Sequence, residues 1–170
     1  MLERCLDLVK KVRKNSGREV SLIGWSLGGI YAREMAKAVP GDVRCIITLG
    51  TPFKGSPRAT NAWQIYEMAS GERIDSISHE QFASPPPVPT TSIYSRTDGV
   101  VAWQCSVERE SATTENIEVE ASHIGLGARP AVIYAVADRL ARPEGAWKKF
   151  DCSSTWRRLV HGENATQCTL

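Results

Sequence analysis

Apolar residues recur along this chain at two periods, and the alternation between them predicts its elements. Leu2, Cys5, Leu6, Val9 and Val12 fall at helical spacing with Lys and Arg between them, predicting an amphipathic helix over 2–12 with Gly17 as its stop. Residues 19–23 read as a buried strand, and Ile30, Tyr31, Met35, Ala36 and Val39 mark the inner face of a following helix closed by Pro40-Gly41. The run 43–49 is apolar and β-branched without alternation, as in a parallel strand covered on both faces. Residues 90–95 and 116–120 predict two further strands, and 130–140 a closing helix with Pro130 at its start. Between them the pattern loosens: Trp63, Ile65, Tyr66 and Met68 suggest one short helix, followed by Pro85-Pro86-Pro87-Val88-Pro89. That stretch, 53–89, is too long for a simple connection and reads either as a lid carrying Trp63, Tyr66 and Phe82 or as a surface excursion. The core is expected over 1–142, with 143–170 a polar tail whose Trp147, Phe150 and Trp156 the pattern does not place.

Composition narrows the partners more than the fold. One domain is natural for 170 residues, 42% of them hydrophobic and 24% charged. A net charge of +2, with no basic cluster interleaved with aromatics, argues against nucleic acid. Met1-Leu2-Glu3-Arg4-Cys5 carries charge where a signal peptide needs an apolar core, and no run approaches membrane-spanning length, so a soluble cytoplasmic chain without an export signal is expected. The five cysteines, Cys5, Cys45, Cys105, Cys152 and Cys168, are odd in number and scattered, which suits reduced thiols. No pair has metal-ligand spacing, and neither a metal nor a cofactor is expected.

The chemistry concentrates in Gly24-Trp25-Ser26-Leu27-Gly28, a Gly-x-Ser-x-Gly spelling between the first strand and a helical run. A serine on so tight a turn is forced into a strained backbone, and Gly24 and Gly28 are expected where neighbouring backbone leaves no room for a Cβ. The turn sets the Ser26 hydroxyl at a helix N-terminus, where unpaired N–H groups and the helix dipole favour negative charge, and the Leu27 N–H would serve one half of an oxyanion hole. Trp25 beside it either walls an acyl pocket or simply packs.

Residues 20–29 resemble the nucleophile elbow of the α/β-hydrolase superfamily. Leu49-Gly50-Thr51-Pro52-Phe53-Lys54-Gly55-Ser56 resembles the Gly-Thr-Pro-x-x-Gly-Ser segment that follows the next strand in many of its lipases and esterases. The resemblance runs from about residue 2 to about residue 142 and implies a partial α/β-hydrolase fold, a mostly parallel sheet with flanking helices. It also implies the chain order serine, acid, histidine. Of three histidines, His79 lies in the 53–89 stretch and His161 in the tail, while His123 follows the last strand, in a loop of small neighbours. Asp98 stands directly after the 90–95 strand, at the carboxyl edge where α/β sheets assemble their sites, although Asp98-Gly99 is also an ordinary turn spelling. The resemblance to the superfamily's acid loop, an aspartate before a small residue and an apolar pair, implies Asp98 as the acid. The triad so implied is Ser26, Asp98 and His123, acting on carboxylic esters or lipids through an acyl-enzyme.

The pattern departs from the superfamily at its start. The early strands, the loop that supplies the second oxyanion N–H and a His-Gly dipeptide that often accompanies it are not found before the elbow. The 19–23 strand is therefore expected to expose an edge that pairs with a missing N-terminal half or drives self-association. Two function classes follow: an esterase or lipase, or an inactive scaffold or interaction module that keeps the elbow for structural reasons.

Overall fold

The computed structural model describes residues 2–55 and 82–151. Its centre is the apolar run read above: β2, Val43–Leu49, is buried at every position except Arg44. Strand β1, Val20–Trp25, lies on one side of it, with Leu22 opposite Ile46 and Trp25 opposite Leu49. On the other side come β3, Thr90–Tyr94, and β4, Thr114–Glu118. The order is β1-β2-β3-β4 and every pairing is parallel, so the mostly parallel expectation becomes wholly parallel among the described residues. There β1 has a hydrogen-bonded neighbour on one side only.

A parallel sheet needs helices on both faces, and alternation along β2 decides which face each residue serves. Ile46 packs with Val9 of α1, Leu2–Ser16, and with Ala32 and Ala36 of α2, Leu27–Ala38. Ile47 and Leu49 join Ile93, Ile117, Leu126 and the Val132 and Ala135 side chains of α3, Pro130–Leu140. The chain is thus a three-layer α/β sandwich.

Several boundaries move from those the pattern suggested, each for a visible reason. Helix α1 runs to Ser16, past Val12, because the Gly17 N–H closes onto the Arg13 carbonyl at 3.0 Å with Gly17 at φ 67. Val12, counted among its apolar residues at helical spacing, is 41% exposed. The first strand begins at Val20 rather than Glu19 and continues through Trp25. The 90–95 strand ends one residue sooner, at Tyr94. The fourth strand begins at Thr114 rather than Asn116 and ends at Glu118 rather than Glu120. Its first residues look like loop because they are polar, but they are buried with partners: Glu115 accepts Thr91 Oγ1 at 2.7 Å and Arg139 Nη1 at 2.8 Å.

Arg139 is buried on α3, where it also reaches the Lys148 carbonyl, and the Phe150 N–H bonds Glu115 Oε2. Phe150 then enters the core beside Tyr134, their rings edge to face at 6.3 Å. The segment just past residue 142 is thus pinned to the sheet by a buried arginine and one aromatic anchor. The lid reading of Trp63 and Tyr66 lies outside the described residues, as do His79, His161 and Trp156. Among the described residues no helix is long and apolar enough to cross a membrane, and no group of three or more His, Cys, Asp or Glu side chains could hold a metal ion.

Replacing Phe150 with Ala should cost about 3 kcal/mol of unfolding free energy, the usual loss for a fully buried phenylalanine. Urea unfolding of the variant measures it, and a loss below about 0.5 kcal/mol, as for an exposed site, would place residue 150 outside the core.

Candidate active site

Ser26 joins β1 to α2 with φ 53 and ψ −126, the one described non-glycine residue at positive φ. Such a conformation costs of order 1 to 3 kcal/mol and persists only where surrounding structure imposes it. Here the Ser26 N–H donates to the Leu49 carbonyl at 2.8 Å, holding the turn against the end of β2, while the Ser26 carbonyl accepts the Gly29 N–H at 3.0 Å. A Cβ on Gly24 would sit 2.3 Å from Gly29 Cα, so the steric expectation holds there. It fails at Gly28, whose Cβ would meet nothing within 4 Å. The second indispensable glycine is Gly29, where a Cβ would fall 1.9 Å from Thr51 Oγ1. Leu27 opens α2 directly after Ser26 and is half-buried.

Asp98 and His123, 25 residues apart, meet at the carboxyl edge of the sheet. His123 Nδ1 lies 2.8 Å from Asp98 Oδ2, and the His123 N–H donates to the Asp98 carbonyl at 2.9 Å. The other carboxylate oxygen, Oδ1, accepts the N–H groups of Val100 at 2.9 Å and Val101 at 2.7 Å. Asp98-Gly99 is thus both the turn its spelling suggested, with Gly99 at φ 78, and the partner of the histidine. Burial pushes the Asp98 carboxyl up, but the His123 bond and the Val101 and Val100 N–H groups outweigh it and hold its pKa below the ordinary value. Both residues are buried, and His123 Nε2 has no hydrogen-bond partner, so no Ser26–His123 bond is formed. Trp25, half-exposed, donates its indole N–H to the His123 carbonyl at 3.1 Å, with its ring 5.6 Å from the imidazole.

The residue that the pattern did not single out for this site is Gly50. At φ 52 it passes so close to the pair that a Cβ would lie 2.9 Å from Asp98 Oδ2, 3.3 Å from His123 Nδ1 and 2.6 Å from Leu126 Cδ1. Its signal was present in the Leu49-Gly50-Thr51-Pro52 spelling. Arg33 was also missed, although it is 1% exposed on α2. It is ion-paired with Glu108, donates to the Ser84 carbonyl at 3.1 Å and lies 3.9 Å above the Phe53 ring. This charged residue is buried because an opposite charge and an aromatic face are buried with it.

Residues 1–122 match the family model for the PGAP1-like alpha/beta domain. The chain belongs to this family. The family match places it in the α/β-hydrolase superfamily, and His123 is the first residue beyond the matched stretch. Among solved structures the fold is similar to Aspergillus fumigatus lipase B, with a TM-score of 0.68 at 19% identity over 95% of this chain and 45% of the lipase. It is also similar to a putative non-heme bromoperoxidase, BpoC, from Mycobacterium tuberculosis H37Rv, with a TM-score of 0.56 at 15% identity over 83% of this chain and 72% of that one. Est1E from Butyrivibrio proteoclasticus gives 0.54 at 16% identity over 84% and 72%. The chain thus spans less than half the length of the lipase. No curated protein sequence matches it.

Two measurements check this geometry. Ala at Gly24, Gly29 or Gly50 should each cost about 2 kcal/mol or more in urea unfolding, as overpacking and strain predict, whereas Gly28→Ala should be neutral or stabilising. Equal losses at all four positions would contradict the crowding described. The lowered Asp98 pKa makes its contribution to stability full above the unfolded value near about pH 4 and lost as pH falls through the folded value. The unfolding free-energy gap between the wild type and Asp98→Asn should therefore shrink on acidification below about pH 4. A gap that widened would mean that the carboxyl group is held protonated in the fold.

Proposed function

We propose that the chain is a serine hydrolase that cleaves carboxylic esters through an acyl-enzyme. The observation that carries this reading is the orientation of His123: Nδ1 is bonded to Asp98, and the opposite nitrogen, Nε2, is buried without a partner. A histidine held so by a carboxylate is fixed in one tautomer, with the far nitrogen free to accept a proton. In the proposed mechanism Ser26 Oγ attacks the acyl carbon while His123 Nε2 takes the serine proton and returns it to the leaving alcohol. Asp98 stabilises the imidazolium that forms between these steps. Water then repeats the cycle against the acyl-Ser26 ester and releases the acid. The Leu27 N–H, at the start of α2, is the proposed oxyanion donor on this side of the carbonyl. The serine–histidine bond is then made in the Michaelis complex, since catalytic hydrogen bonds often tighten only with substrate present.

The buried Asp98–His123 pair favours this reading over an inactive scaffold, because burying two ionisable groups has a desolvation cost that a purely structural loop avoids with apolar residues. A lipase and an esterase among the solved structures of similar fold support an ester or lipid as substrate. A cytoplasmic location belongs to the same proposal, on the strength of the odd and scattered cysteines.

Labelling with a fluorophosphonate probe tests the proposal. The wild type should be modified at Ser26, and Ser26→Ala should abolish both labelling and p-nitrophenyl ester turnover while keeping or raising thermal stability, since the turn's glycines remain. Single losses of Ser26 or His123 should be about as severe as loss of all three triad residues, as for groups that act as a unit. A folded, unlabelled wild type would leave the scaffold reading in its place.

A further inference from the structure

We infer that Trp25 is a positioning residue that ties the proposed base to the proposed nucleophile, and not a wall of the acyl pocket. The inference rests on the triad reading above and adds a residue to it. Trp25 is 44% exposed, which by itself suggests a surface or pocket aromatic. Its polar atom is nevertheless committed, because the indole N–H donates to the main-chain carbonyl of His123 at 3.1 Å, across 98 residues of sequence. The same ring sits 5.6 Å from the imidazole at an interplanar angle of 35°.

His123 is then held at every polar atom but one. Its N–H goes to the Asp98 carbonyl at 2.9 Å, its Nδ1 to Asp98 Oδ2 at 2.8 Å and its carbonyl to Trp25. Nε2 alone is left without a partner. The first two contacts bind the histidine to the loop after β3 and make no bond to β1 or to Ser26. The contact with Trp25 does, because Trp25 and Ser26 share a peptide bond and the strained Ser26 backbone is itself held by the Leu49 carbonyl. Within the loop after β4, Ala121 and Leu126 are buried in the core with Ile47 and Leu49 of β2, while Ser122 and Ile124, on either side of His123, are exposed, Ile124 at 78%, so the indole bond is the direct link from His123 itself to β1. This one hydrogen bond thus adds a direct tie across a spacing that the Leu49 and Gly50 backbone also constrains, and on which proton transfer from Ser26 to His123 depends; misplacement of about 1 Å in such a pair costs on the order of 100-fold in rate.

The test uses the full chain with Trp25 replaced by Phe and, separately, by β-(3-benzothienyl)alanine, the sulfur isostere of tryptophan that keeps the ring and loses the N–H. Both should lower kcat on a p-nitrophenyl ester by about 10- to 100-fold with KM changed by less than about twofold, and the fluorophosphonate labelling rate should fall in step. A raised KM with kcat retained would make Trp25 a pocket wall and overturn the inference. Unchanged kinetics in the isostere would also overturn it. If the wild type shows no Ser26-dependent turnover or labelling, the triad reading has failed, and the tether is then read from proton NMR. An indole proton of Trp25 protected from exchange, with the His123 ring resonances displaced in the isostere, upholds the tether; exchange at the solvent-exposed rate overturns it.

Discussion

Three consecutive residues at the carboxyl end of β2 set the terms for everything around them. The Leu49 carbonyl accepts the Ser26 N–H, the Gly50 backbone lies against Asp98 and His123, and the buried Thr51 side chain fills the space left by Gly29. Because the spacing is too tight for added Cβ atoms, the Ser26 turn and the Asp98–His123 pair can be placed side by side only if the chain leaves β2 at positive φ and with no side chain at Gly50. The strain at Ser26 and the closeness of the Asp98–His123 pair are two consequences of one packing constraint. The parallel sheet explains why they meet here, since β1, β2 and β3 all deliver their following loops to the same edge.

Buried charge organises the rest of the domain in a parallel way. Arg33 with Glu108 joins α2 to the segment between β3 and β4, and Arg139 with Glu115 joins α3 to β4. Each guanidinium also takes a main-chain carbonyl, at Ser84 and Lys148 respectively, which ties down the segment ahead of β3 and the segment after α3. Ion pairs of this kind add little net stability over an apolar core, but losing one partner leaves an uncompensated buried charge, which makes the arrangement specific. Asp98 obeys the same rule on a smaller scale, its carboxylate being satisfied by two N–H groups and one imidazole.

The chain spans 45% of the lipase whose fold it matches, and among the described residues its first strand is paired on one side only. Ile23 and Trp25 on that strand are about half exposed. The site sits on the paired side, where the carboxyl ends of β1, β2 and β3 converge.

The sequence alone determined what depends on local periodicity and local sterics. The β2 and α3 limits, the strand–turn–helix at Ser26 and the placement of Asp98 and His123 after consecutive strands are written in short windows of residue types. Three things were decided only by tertiary structure. The start of β4 was hidden because Thr114 and Glu115 are polar, and only Arg139 and Thr91, distant in sequence, make them a buried strand. The burial of Arg33 and the place of Phe150 were not legible because what buries them, Glu108 and Phe53 for one and Tyr134 with Leu126 and Val132 for the other, lies far along the chain. The exchange of Gly28 for Gly29 as the crowded glycine turned on Thr51, more than twenty residues away, whose position follows from the register of β1 on β2. A spelling states which backbone is allowed; only packing between distant segments states which positions have no room.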